Sequence, residues 1–138
     1  MAVITTQQLT KQFGGLIAID KLDLDVKEQS IHSVIGPNGA GKTTVFNCIT
    51  GFYRPEGGDI LLDGRSLVGL LPDQIVQRGI ARTYQNIRLF QNLTALENIL
   101  VGLHGHLHTG IVGIVLRSPA ARREEKEAAA EASRLLNF

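Results

Sequence analysis

Apolar residues fall in short runs of differing period along this chain, and the periods predict strands alternating with helices. Val3 to Leu9 suits a strand, Gly14-Gly15 marks a turn, and Leu22-Asp23-Leu24-Asp25-Val26 alternates apolar with acidic, as an antiparallel strand with one wet face does. Ser30 to Ile35 shows no sustained alternation and runs into Gly36, which predicts an interior strand of a parallel sheet. A helix follows through Val45, Phe46, Cys48 and Ile49, with its apolar side toward the sheet and its stop at Gly51. Pro55-Glu56-Gly57-Gly58 is turn chemistry, Asp59 to Leu62 a strand, and Asp63-Gly64 a hairpin signal. Pro72 to Arg78 predicts a short helix closed by Gly79, and Ile80-Ala81-Arg82-Thr83-Tyr84 a strand ending at Gln85. Thr94-Ala95-Leu96-Glu97 is a capping box that opens a helix through Leu103, leaving Asn86 to Asn92 as a bounded loop. Ser118-Pro119 starts a last helix, rich in Ala, Glu and Arg, through Leu135.

The chemistry concentrates after the Ser30 to Ile35 run. Gly36-Pro37-Asn38-Gly39-Ala40-Gly41-Lys42-Thr43 fills the template G-x-x-x-x-G-K-[ST], with a predicted strand before it and a predicted helix after it. Without Cβ atoms, Gly36, Gly39 and Gly41 let successive N–H groups turn inward, an anion nest that ends at a helix N-terminus. Lys42 supplies a cation for the β- and γ-phosphates, the Thr43 hydroxyl suits a Mg²⁺ shell, and Thr44 is a further donor. Two more residues have alternative readings. Phe13, just before a turn, either stacks on a purine base or packs in the core; its position favours stacking. Gln85, at a strand end, either reaches Mg²⁺ and the attacking water or is an exposed loop amide.

Other patterns do not carry chemistry. Ile60-Leu61-Leu62-Asp63 imitates a Mg²⁺-binding Walker B strand, but Gly64 follows and too few residues separate it from Gly51 for a crossover helix, so a hairpin is expected. His104, His106 and His108 have no Cys or carboxylate beside them and sit around Gly105, as in a loop. The run from Arg122 to Glu127 is a solvated helix face.

Composition bounds the rest. A length of 138 residues with 43% hydrophobic and 20% charged residues fits one globular domain. With 14 Lys+Arg against 13 Asp+Glu, the net charge of +1 gives no reason to expect a nucleic-acid partner. The single Cys48 excludes a disulfide framework and suits a buried thiol. The longest apolar stretch, Ile111 to Leu116, is too short to span a bilayer, so any membrane role comes through a partner.

Together these residues resemble the nucleotide-binding subunits of ABC transporters over essentially the whole chain. The resemblance rests on Gly36 to Thr44, on Gln85 at the place of the Q-loop and on Phe13 at the place of the base-stacking A-loop. Phe13-Gly14-Gly15-Leu16, the run from Thr44 to Tyr53, Arg82-Thr83-Tyr84-Gln85, Arg88-Leu89-Phe90 and the run from Glu97 to Val101 are similar to the ATPase subunit of bacterial branched-chain amino acid importers.

The resemblance implies a P-loop NTPase fold of the α/β class: a RecA-like core, an antiparallel β subdomain and the start of a helical subdomain. Residues 1–103 would hold the β subdomain, P-loop and Q-loop region, and residues 104–138 a loop and the start of the helical subdomain. It implies ATP and Mg²⁺ as ligands, with Lys42 and Gln85 in catalytic roles and Thr43 and Gln85 on the metal. The implied partners are transmembrane permease subunits and a second ATPase subunit, and the implied location is the cytoplasmic face of the cell membrane, held there by the permease. The LSGGQ-type signature, the Walker B Asp-Glu pair, the D-loop and the switch His of such subunits have no counterpart here, which reads as an N-terminal, truncated portion. A phosphate-loop kinase or GTPase would need an acceptor lid or an Asn-Lys-x-Asp segment, and neither is found. A non-catalytic nucleotide-binding or partner-docking module, or a cassette serving another substrate, remains the alternative.

Overall fold

The computed structural model describes residues 2–84, 89–103 and 119–136, and the chain divides into two compact units, Met1–Thr83 and Tyr84–Phe138. In the first, β1 (Ala2–Phe13) and β2 (Leu16–Lys27) pair antiparallel across the Gly14-Gly15 turn. β3 (Gly57–Leu62) pairs with the other edge of β1, and β4 (Arg65–Ser66) with β3, giving an antiparallel sheet of order β2-β1-β3-β4. The alternation in β2 does what its period demands: Leu22, Leu24 and Val26 are half-buried, while Asp23, Asp25 and Lys27 are exposed. Both long strands outrun the patterned residues because an irregularity interrupts the pattern. Around Gln8 the register shifts, and the Asp23 carboxylate accepts the Gln8 backbone N–H at 2.6 Å, satisfying a donor that the ladder has dropped.

Between β3 and β4, Asp63 and Gly64 both take left-handed backbone, φ 48° and 76°, as a two-residue hairpin of the primed type requires. This is the hairpin that the sequence predicts, and Asp63 is a turn residue. On the sheet lies α1 (Lys42–Ile49), which sets Val45, Cys48 and Ile49 against Leu9, Ile19, Ile60 and Leu67. Burial raises the Cys48 thiol above its ordinary pKa, keeping it protonated. A short α2 (Pro72–Gln77) buries Ile75.

Two expected strands are not formed. Residues 30–37 and 80–84 are irregular, and Ile31 and Ile35 stand 99% and 90% exposed. An interior parallel strand needs a hydrogen-bonded neighbour on each side, and no described strand lies beside either run; their apolar residues signal what a sheet could bury, without a sheet to bury it.

The second unit contains α3 (Ala95–Leu103) packed on α4 (Pro119–Leu136). The capping box forms as predicted: the Thr94 N–H donates to Glu97 Oε2 at 2.7 Å and the Glu97 N–H to Thr94 Oγ1 at 3.3 Å. The bonds from the Thr94 N–H and, second, the Thr94 hydroxyl to the Glu97 carboxylate hold that carboxyl below its ordinary pKa. Asn98 adds a clamp: its Oδ1 accepts the Phe90 N–H at 2.9 Å, and its Nδ2 donates to the carbonyls of Phe90, Leu93 and Thr94. On α4 the charged run is a wet face, with Arg123 bonded to Glu127. Gln85, residues 86–88, the three clustered histidines, Ile111 to Leu116 and Ser118 lie outside the described residues. No described helix is long and apolar enough to cross a membrane.

Candidate functional site

The glycine-rich loop ends at the first turn of α1, and its shape follows from two left-handed glycines, Gly39 (φ 86°) and Gly41 (φ 81°). Gly41 is also the point of closest approach to the sheet: a Cβ there would come within 2.3 Å of the Ala18 carbonyl oxygen of β2. No side chain fits that gap, so glycine lets the loop lie flat on the strand. Gly41 is the N-cap of α1, with no side-chain capping bond and no acidic residue in the first turn. The first helical bond is Val45 N–H to Gly41 carbonyl, at 3.0 Å. The N–H groups of Lys42, Thr43 and Thr44 therefore end the helix without intrahelical acceptors, at the positive end of its dipole.

Lys42 folds back across the loop, its Nζ donating to the carbonyls of Gly36 at 2.7 Å and Pro37 at 2.6 Å. That ties the start of the loop to the start of the helix and leaves the ammonium's third N–H for a ligand. Pro37 also accepts the Ala40 N–H at 3.2 Å, closing the turn that contains Asn38 and Gly39. The Thr43 side chain is exposed, and its hydroxyl makes no hydrogen bond among the described residues. Cation, hydroxyl and free amides thus gather at one helix start, a donor set suited to a polyanion.

A second group stands close by. The β1–β2 register pairs Phe13 with Leu16, Gln12 with Ile17 and Lys11 with Ile19, and Ala18, the residue that meets Gly41, falls at the shift between the last two pairs. Phe13 is 42% exposed and meets the Tyr53 ring edge-to-face, with centroids 5.2 Å apart. The Lys11 ammonium lies over both rings, 5.0 Å from the Phe13 centroid and 6.0 Å from that of Tyr53. Lys11 Nζ also donates to Glu56 Oε1 at 2.6 Å and to the Arg54 carbonyl at 2.8 Å, while Glu56 Oε2 accepts the Gln12 N–H. The bond from Lys11 holds the Glu56 carboxyl below its ordinary pKa.

The structure gathers residues 36–44 at one helix start and pairs Phe13 with Leu16 of β2, the strand whose Ala18 meets Gly41; Gln85 lies outside the described residues. Sequence reasoning missed Lys11 and Glu56. The signal was available in part, since Lys11 falls on the same period-2 face as Leu9, and a lysine on a buried face needs a partner. It also missed Arg82, whose guanidinium donates to Asn47 Oδ1 at 2.7 Å and so fastens the stretch before Gln85 to α1.

Residues 19–138 match the family described as ABC transporter. The chain belongs to that family. Among its relatives, the protein named high-affinity branched-chain amino acid transport ATP-binding protein BraF, from Pseudomonas aeruginosa, is 51% identical over 126 residues, 91% of this chain and 49% of that protein. The fold is that of ABC cassettes. A crystal structure of a nucleotide-free ATP-binding cassette from an ABC transporter superposes with a TM-score of 0.76 at 28% identity, over 100% of this chain and 54% of the other. A dimeric cassette in a post-hydrolysis state bound to ADP and Pi gives a TM-score of 0.69 at 25% identity, over 97% of this chain and 56% of the other. The chain spans about half the length of the curated relatives it matches.

Proposed function

We propose that this ABC chain binds the triphosphate of ATP at residues 36–44, and that the cassette it represents couples ATP hydrolysis to uptake of branched-chain amino acids. The observation that carries the first part is the start of α1, where uncapped amides, the Lys42 ammonium and the Thr43 hydroxyl stand together behind left-handed glycines. Phosphate oxygens accept from those amides, and Lys42 offers its remaining N–H to the β- and γ-phosphates. The Thr43 hydroxyl fits a Mg²⁺ shell, and bound Mg²⁺ would neutralise charge on the phosphate oxygens. Phe13 would stack on the base, and the Gln85 amide would hold the Mg²⁺ or the attacking water. The substrate class is supported by the 51% identity to the branched-chain amino acid transport protein. On the same footing, the cassette lies on the cytoplasmic face of the cell membrane, held there by transmembrane permease subunits, and pairs with a second cassette, as in the dimeric neighbour.

Titration with Mg-ATP tests the reading. Lys42→Ala is expected to weaken binding at least about tenfold, because charge-assisted hydrogen bonds are worth roughly 1.5–3 kcal/mol and the amides alone leave phosphate charge uncompensated. Unchanged affinity would sink the assignment.

A further inference from the structure

We propose that Lys11 is a positioning residue for the nucleotide base, fixing the Phe13 ring against Tyr53. This rests on the ATP-binding reading above and adds a residue that the phosphate chemistry does not need.

Lys11 is only 9% exposed, and a lysine is seldom so buried unless its charge is met. Here the charge is met from three directions. Glu56 and the Arg54 carbonyl each accept a hydrogen bond, and the ammonium faces two aromatic rings. Glu56 is itself locked to β1, since its N–H donates to the Thr10 carbonyl and its carboxylate accepts the Gln12 N–H. Lys11 therefore joins β1 to the turn after α1 and draws Phe13 and Tyr53, forty residues apart in sequence, onto one cation. A lone Phe at a hairpin tip would sample several rotamers; held over the ammonium and against Tyr53, it waits in one. Stacking on a ring already ordered avoids the loss of freedom that binding otherwise imposes. The cation also draws electron density from the rings it faces, which favours stacking with an electron-rich purine. The ligand class is thus a purine nucleoside triphosphate, with Lys11 acting on the base end alone.

Titration of the full chain with Mg-ATP and, separately, with Mg-tripolyphosphate, which has the phosphates without the base, tests this. The expected result is that Lys11→Met weakens ATP about three- to tenfold and leaves tripolyphosphate unchanged, while Lys11→Arg keeps the preference for ATP. Phe13→Leu, at an exposed site that folding tolerates, is expected to give the same selective loss. The double variant is expected to lose no more than either alone, since Lys11 acts through the ring. Equal weakening of both ligands by Lys11→Met overturns the inference alone, whereas an unchanged ATP preference in Phe13→Leu overturns it together with the base-stacking role of Phe13. A wild-type chain that binds neither ligand overturns the ATP-binding reading with it.

Discussion

Ile60 and Ile35 are the same residue in runs of similar character, yet Ile60 is 1% exposed and Ile35 90%. The difference lies in what stands beside them. β3, which holds Ile60, has β1 on one side and β4 on the other, and β4 is only a two-residue turn away in sequence. The α1 residues Val45, Cys48 and Ile49 then close over the same face. The run from Ser30 to Ile35 has none of this: no ladder forms along it, and its isoleucines meet water. An apolar run states a demand for burial; hairpin neighbours meet it locally, whereas a parallel interior strand depends on chain brought from far off.

Hydrogen exchange gives the largest test of this contrast. Amides of β1 and β3 that bond across the ladder are expected to exchange orders of magnitude more slowly than those of residues 30–35, which open at almost no cost. Comparable protection in both would mean that the run is paired in solution. Next come two equivalent substitutions measured by urea unfolding. Ile60→Ala is expected to cost about 2–5 kcal/mol, as a cavity opens in the core. Ile35→Ala is expected to stay within about 0.5 kcal/mol, as at other exposed sites. Equal costs would erase the distinction.

Gly41 is where the loop after that run meets β2, and a smaller effect is expected there. Alanine at φ 81°, with a Cβ 2.3 Å from the Ala18 oxygen, is expected to lift the loop from β2 at a cost of about 1–3 kcal/mol. A stability equal to wild type in the same unfolding assay would show that the approach is not obligatory. The smallest effect is on pH. Glu56 has a folded pKa below its ordinary 4.5, so its contribution to stability is present above that value and lost as pH falls through the lower folded value. Melting temperature is expected to fall more steeply below pH 4.5 in wild type than in Glu56→Gln; parallel curves would contradict it.

The legible parts of the fold are those whose causes are near in sequence. Asp63-Gly64 sets a hairpin by its own backbone, Thr94 and Glu97 cap each other three residues apart, and the stop of α1 needs only Gly51. The Walker-type spacing likewise displays residues 36–44 in one stretch. Ser30 to Ile35 and Ile80 to Tyr84 read as strands but do not form them, because apolar composition says nothing of whether a neighbouring strand arrives. Lys11 escaped notice for a related reason, since its partner Glu56 stands 45 positions away and only folding brings them together. Asn98 falls inside the predicted helix, and the carbonyls it holds become targets only once the loop has turned back.

That last side chain has a mechanical consequence. By fastening Phe90, Leu93 and Thr94 to the first turn of α3, Asn98 removes the slack that a surface loop normally has. Displacing Phe90 or Leu93 relative to the start of α3 therefore means breaking at least one of these bonds.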